Sequence, residues 1–186
     1  RFVTVQSIYP AGANEHTFEP TQKDMMNLAD ADVFFYIGLG LEGFVENAKK
    51  TLANESVQLV ATAENISEED LHISTGHTHA EAIEVHEEHD HEGHSHEEEV
   101  HEDHNHDGHD SHVWLSPVLS KELATVIKNT LVEKLPEQEA TFTANYEQLV
   151  KDLDALHAEF EAMAAETTNK TFFVSHAAFG YIAGAY

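Results

Sequence analysis

Val33-Phe34-Phe35-Tyr36-Ile37 is an unbroken apolar run, the pattern of a strand covered on both faces. Its neighbours decide what kind of sheet it joins. Upstream, Thr21 with Asp24 three residues later forms a capping-box signature, opening a short helix through Met25, Leu28 and Ala29. Downstream, Leu41, Phe44, Val45, Ala48 and Leu52 follow helical spacing, and Val57-Gln58-Leu59-Val60 reads as a further strand. Before all of these, Phe2 to Ile8 is β-rich and ends at the loop signal Tyr9-Pro10-Ala11-Gly12. The order strand, helix, strand, helix, strand predicts a parallel sheet in an α/β lobe.

The second half is helical. Ser116 followed by Pro117 is a helix start with proline at the first position, and Leu119, Leu123, Ile127, Leu131 and Leu135 give that helix an apolar stripe. From about residue 137 to 168, Phe142, Tyr146, Leu149, Leu153, Leu156, Phe160 and Met163 alternate steps of four and three. Roughly thirty residues at 1.5 Å rise make a rod on the order of 45 Å, suited to a spacer between two lobes, although the seam also permits a coiled coil. Lys170-Thr171-Phe172-Phe173-Val174 reads as a fresh strand and Ala177 onward as a fresh helix, the start of a second α/β lobe. The expected organisation is therefore a parallel-sheet lobe over 1–136, a linking helix over 137–168, and an incomplete second lobe over 169–186. The chain opens without Met and stops at Tyr186 inside a young helix, so both ends are expected to be cut.

The first lobe is interrupted at about 64–110. That stretch holds twelve of the sixteen histidines and seventeen of the thirty-five acids, with no Lys or Arg. It runs through repeated H-x-H pairs: His77 and His79, His89 and His91, His94 and His96, His104 and His106. It has too much charge and too little apolar periodicity to fold alone. Neutral imidazoles among carboxylates, with no competing cation, make a flexible collector of divalent metal. The whole chain carries a formal net charge of −26, and outside the insert nine bases still face eighteen acids. A nucleic-acid partner is excluded because phosphates would be repelled. Absence of cysteine excludes a thiolate zinc site, a disulfide frame and a thiol nucleophile. The sequence contains no signal peptide or membrane span.

Four histidines lie outside the insert: His16, His112, His157 and His176. His16 follows the first expected strand, His112 ends the insert, and His176 sits at the carboxyl end of the expected strand Phe172–Val174. Ligands gather beyond the carboxyl ends of strands in open α/β sheets, and three imidazoles are a common zinc shell. His157 lies one residue off the helical seam and is expected to be exposed. Two near-motifs are set aside. Gly38-Leu39-Gly40-Leu41-Glu42-Gly43 matches a dinucleotide fingerprint, with Glu64 downstream, but Glu42 would repel a pyrophosphate, so it is read as a strand–helix turn. His86-Glu87-Glu88-His89 is one residue short of the metalloprotease H-E-x-x-H.

Three segments carry a family resemblance. Gly12-Ala13-Asn14-Glu15-His16-Thr17-Phe18-Glu19-Pro20, His112-Val113-Trp114-Leu115-Ser116-Pro117 and Phe173-Val174-Ser175-His176-Ala177-Ala178-Phe179-Gly180-Tyr181 resemble, in order, motifs of the metal-binding proteins that serve zinc and manganese ABC importers. The His-rich insert also falls where zinc-type members carry one. The resemblance implies two α/β lobes joined by one long helix, with metal in the cleft between them. It implies His16, His112 and His176 as ligands. Manganese-type members typically place a carboxylate where His176 stands, and three imidazoles favour zinc. The resemblance implies a fourth ligand that is often an acid of the second lobe, which is expected to lie outside this chain; Glu15 or a water could substitute, and Glu19 is read as orienting its loop.

The function expected is extracytoplasmic capture of Zn²⁺ and delivery to a membrane permease of an ABC importer, by a monomer that is not an enzyme. The location would be the periplasm or the cell surface, with a lipid anchor carried by residues preceding Arg1. Two alternatives remain: a permease-independent buffering module built on the insert, and a zinc-dependent hydrolase using Glu15 or Glu19 as base.

Overall fold

A computed structural model describes residues 2–71 and 109–186. The repeated H-x-H pairs and the H-E-E-H near-motif lie outside the described residues. Helix α1 (Gln22–Ala29) begins with the expected capping box: Thr21 accepts from the Asp24 backbone, and the Asp24 carboxylate accepts from the Thr21 N–H. Strand β1 (Val33–Tyr36), helix α2 (Val45–Thr51) and strand β2 (Gln58–Ala61) form one βαβ unit. Its two strands are parallel, with Val33 opposite Gln58 and Tyr36 opposite Ala61.

Two apolar cores flank this unit. Leu28, Phe44, Val45, Ala48, Leu52 and Val57 form the first, joined by Phe34, Tyr36 and Leu59 from alternate strand positions. Val113, Leu119, Leu123, Tyr181, Ala63, Ile66 and Leu71 form the second, with Ile37 and Leu39 packed against it. Residues 64–71, read from the sequence as the opening of the insert, thus bury Ile66 and Leu71, the latter in the short helix α3 (Glu68–Leu71). Their acidic neighbours conceal two apolar anchors.

Helix α4 (Pro117–Lys134) starts where Ser116 accepts from the Leu119 backbone and Pro117 takes the first position. A 3₁₀ turn at Pro136–Gln138 reverses the chain into helix α5 (Glu139–Glu166), 28 residues long. α5 runs back along α4, with Lys121 paired to Asp154 at 2.7 Å and Thr125 bonded to Tyr146 at 2.8 Å. The seam residues Leu149, Leu156 and Met163 remain exposed. His157 differs from expectation: it is half-buried, and its Nδ1 lies 2.7 Å from the Tyr186 hydroxyl. Helix α6 (Gly180–Ala185) closes the chain.

Two expected strands do not form. Residues 2–8 and 172–174 are rich in β-prone residues, but among the described residues neither pairs with another strand. Phe2 instead meets Phe142 of α5 edge-on, and Phe173 is 97% exposed. A run of β-prone residues becomes a strand only when another backbone takes up its hydrogen bonds.

The glycine-rich segment is a strand–helix turn. Gly38, Leu39 and Gly40 all have positive φ, and buried Glu42 closes the turn by accepting from the backbone N–H of Ile37 at 2.7 Å and of Gly38 at 3.1 Å. Glu42→Ala strips both donors of their acceptor. It is expected to cost about 2–4 kcal/mol in urea unfolding, whereas Glu42→Gln, which keeps one acceptor oxygen, costs less.

Candidate metal centre

His16 stands in the loop between Tyr9 and α1. Ala13 N–H bonds to the Pro10 carbonyl, and the Asn14 side chain accepts from the His16 N–H at 2.9 Å, so two successive turns fix the backbone leading into His16. Phe18, two residues on, wedges between Tyr9 and Phe44 at ring distances of 5.0 and 5.8 Å and ties the loop to the first core.

His112 caps the 3₁₀ turn Val113–Leu115, which leads directly into Ser116 and α4. Val113 is completely buried beside it. The Asp110 carboxylate accepts from both the His112 backbone N–H at 3.0 Å and its ring Nδ1 at 2.6 Å. An ionised carboxylate can only accept, so in the neutral ring Nδ1 carries the proton and Nε2 presents a bare lone pair. Asp110 is therefore the group that orients this imidazole. Sequence reading missed it by counting it among the insert's acids, although a D-x-H pair spaced to close a small turn was visible.

His176 lies in a turn closed by Ala178 N–H on the His176 carbonyl at 2.9 Å, with Ala178 and Tyr181 buried behind it. The imidazole itself is exposed.

The three rings converge. His16 Nε2 is 3.3 Å from His112 Nε2, which is 3.0 Å from His176 Nε2. Glu15, adjacent to His16, completes a group whose ligand atoms all lie within 4.8 Å of one another. Tetrahedral zinc with nitrogen ligands at 2.0–2.1 Å requires ligand–ligand separations of about 3.3–3.4 Å. The two separations from His112 thus stand close to the edge length of a zinc tetrahedron. One Nε2 without a proton cannot satisfy two neighbouring nitrogens by hydrogen bonding, whereas a divalent cation between them satisfies all three. Glu19 stands outside this group, in the exposed part of the loop.

Beside the cluster an open cleft of about 290 Å³ is lined by Tyr9, Glu15, Ile37, Leu41, Glu42 and Trp114. The Tyr9 hydroxyl is buried there and, among the described residues, has no hydrogen-bond partner. Burial first, then the charges of Glu42 and Glu15, push its ionisation up to about 12.

The family model for the periplasmic zinc-uptake complex component A, ZnuA, matches residues 1–186. The chain belongs to this family of solute-binding proteins, which are not enzymes. The zinc-binding protein AdcA of Streptococcus pyogenes serotype M3 is 35% identical over 183 residues, covering 96% of this chain and 33% of that protein. The zinc-binding lipoprotein AdcA of Streptococcus pneumoniae serotype 4 is 30% identical over 179 residues, covering 96% and 32%. The crystal structure of the metal-dependent lipoprotein YcdH from Bacillus subtilis matches 98% of this chain and 56% of its own, with a TM-score of 0.73 and 26% identity. Zn(II)-bound AdcA from Streptococcus pneumoniae shares the fold, with a TM-score of 0.70 at 23% identity over 97% of this chain and 32% of that one. The chain spans about a third of the length of these curated relatives. Among its described residues no helix is long and apolar enough to cross a membrane.

Tyr9 yields a prediction in the alkaline range. Unfolded tyrosine ionises near 10. Between about pH 10 and 12 the folded chain keeps a proton that the unfolded chain has shed, so stability falls as pH rises through that window. Phenolate absorbance should show a late-ionising component that Tyr9→Phe removes, and the same substitution should soften the alkaline loss of stability.

Proposed function

We propose that this chain captures Zn²⁺ outside the cytoplasmic membrane, through His16, His112 and His176, and hands it to the permease of an ABC importer. The observation that carries the reading is the convergence of three Nε2 atoms at 3.0 and 3.3 Å, one of them oriented by a carboxylate. Glu15 is the fourth ligand, supplying the negative charge that three neutral imidazoles lack. Nitrogen-rich coordination favours zinc over manganese, which prefers oxygen. The exposed seam of α5 and the exposed Phe172, Phe173 and Phe179 support residues 169–186 as the beginning of a second lobe that covers the His176 side of the ion. The protein acts as a monomer, and the acidic, His-rich insert gathers zinc weakly near the tight site.

Calorimetry separates this reading from buffering by the insert. Deleting residues 72–108, between the described stems, should leave one tight zinc site. Replacing His16, His112 and His176 together with alanine should weaken that site by more than about a hundredfold while the insert's weak sites persist. Tight binding undiminished in the triple variant would end the proposal, and loss of every tight site on deletion would favour the buffer.

Protons compete with zinc for imidazole lone pairs. Affinity should be full above neutrality and fall as pH drops into the acid range. Competition titrations with a chelator of known pH dependence would measure this, and a flat profile across that range would contradict imidazole ligation.

A further inference from the structure

Tyr181 is a member of the second core, 1% exposed, whereas Phe172, Phe173 and Phe179 of the same segment are exposed. Its hydroxyl donates to the backbone carbonyl of Asp110 at 2.6 Å. Asp110 is the residue whose carboxylate grips both the backbone and the ring of His112. Tyr181 follows His176 by five residues, joined to it through the turn that Ala178 closes. One residue, Asp110, is thus held through its main chain by the His176 segment and holds His112 through its side chain.

We propose that Tyr181 is a positioning residue that sets the distance between His176 and His112, and so the tightness with which zinc is retained. This rests on the zinc site argued above. His176 itself is exposed, as are Phe172, Phe173 and Val174 leading into it, so local packing of those side chains does not fix its imidazole. The nearest buried groups beyond it are Ala178 and Tyr181. Ring and hydroxyl then have separable roles. The ring buries apolar surface, and that burial tolerates a small slide with little loss. The hydroxyl–carbonyl bond does not: a shift on the order of 1 Å takes a 2.6 Å contact beyond hydrogen-bond range. The same shift would carry His176 Nε2 away from the 3.0 Å separation that a shared ion needs. The hydroxyl therefore specifies register where the apolar core specifies only proximity.

The test uses the full-length protein and zinc alone. Tyr181→Phe keeps the ring and removes the bond, so circular dichroism of the zinc-free protein should be unchanged. Stopped-flow release into a chelator should be about tenfold faster, the lower end of what groups supporting a metal ligand contribute, with the association rate unaltered. In a His176→Ala background the same substitution should change nothing, because no third imidazole is left to place. Unaltered release from Tyr181→Phe, while His176→Ala weakens binding, overturns the proposal and leaves the zinc reading intact. A further loss from Tyr181→Phe in the His176→Ala background also overturns it, because Tyr181 would then act on the rest of the site. If His176→Ala leaves affinity unchanged, the zinc reading itself fails and the proposal falls with it. Should Tyr181→Phe not fold, proton NMR of the wild-type protein decides: the Tyr181 hydroxyl proton should exchange slowly with and without zinc, and exchange at the rate of a free phenol overturns the assignment.

Discussion

Three nitrogen lone pairs drawn together from distant parts of one chain repel unless a proton or a cation lies between them. His16 and His112 are 96 positions apart, and His112 and His176 are 64 apart, yet their Nε2 atoms stand within hydrogen-bond range. Holding them there takes rigid support, and each histidine has an anchor a few residues away. Phe18 secures the His16 loop, Val113 secures His112, and Ala178 with Tyr181 secures the segment of His176. Such preorganisation means that little ordering cost remains for the moment of binding. The Asp110 carboxylate adds the chemical half of the arrangement by fixing which ring nitrogen is bare.

The anchors belong to different cores. Phe18 packs with Phe44 in the core under α1 and α2, whereas Val113 and Tyr181 lie in the core built on α4. The site straddles both, so its geometry depends on how the cores are set against each other. Strand β1 and its exit do this. Phe34 and Tyr36 enter the first core, and Ile37 and Leu39, just beyond, pack on the second. From Gly38 to Gly40 the chain bends through three residues of positive φ, and Glu42 closes that bend with both carboxylate oxygens. A segment that imitates a nucleotide-binding loop is thus part of the frame that aligns the three imidazoles.

Much of this was legible in the sequence where the signal is local. The Thr21 capping box and Pro117 at the start of α4 are each written within a few residues and appear as expected, and the spacing from Phe142 to Met163 marks α5, although Leu149, Leu156 and Met163 of that seam stay exposed. His16, His112 and His176 were legible because motifs surround them. Non-local features were hidden. Phe2–Ile8 and Phe172–Val174 have the composition of strands, but composition does not say whether a partner backbone is present. Ile66 and Leu71 are core residues lost to view among Glu64, Glu68, Glu69 and Asp70. Asp110 was lost in the same way, since one acid among seventeen carries no mark of the imidazole it orients. His157 was read from its place on a helix, and the Tyr186 hydroxyl that meets it comes from 29 residues away.

On the proposed reading, in which the cluster holds zinc, charge assigns a part to the acids Glu15 and Asp110 beside it. Three neutral imidazoles leave the two positive charges of a zinc ion uncompensated. Glu15 contributes one negative charge directly to the cluster, and Asp110 contributes a second through the His112 ring. Together they balance the ion, so the loaded centre is close to neutral and partial burial costs it little. A third carboxylate at His176 would leave that centre with excess negative charge and an oxygen-richer shell, the environment of a harder cation. The large negative charge elsewhere on the chain acts at longer range, concentrating cations of every kind near the surface without selecting among them. Selection between metals therefore falls to a few ångströms of geometry around His112, and attraction to the rest of the polypeptide.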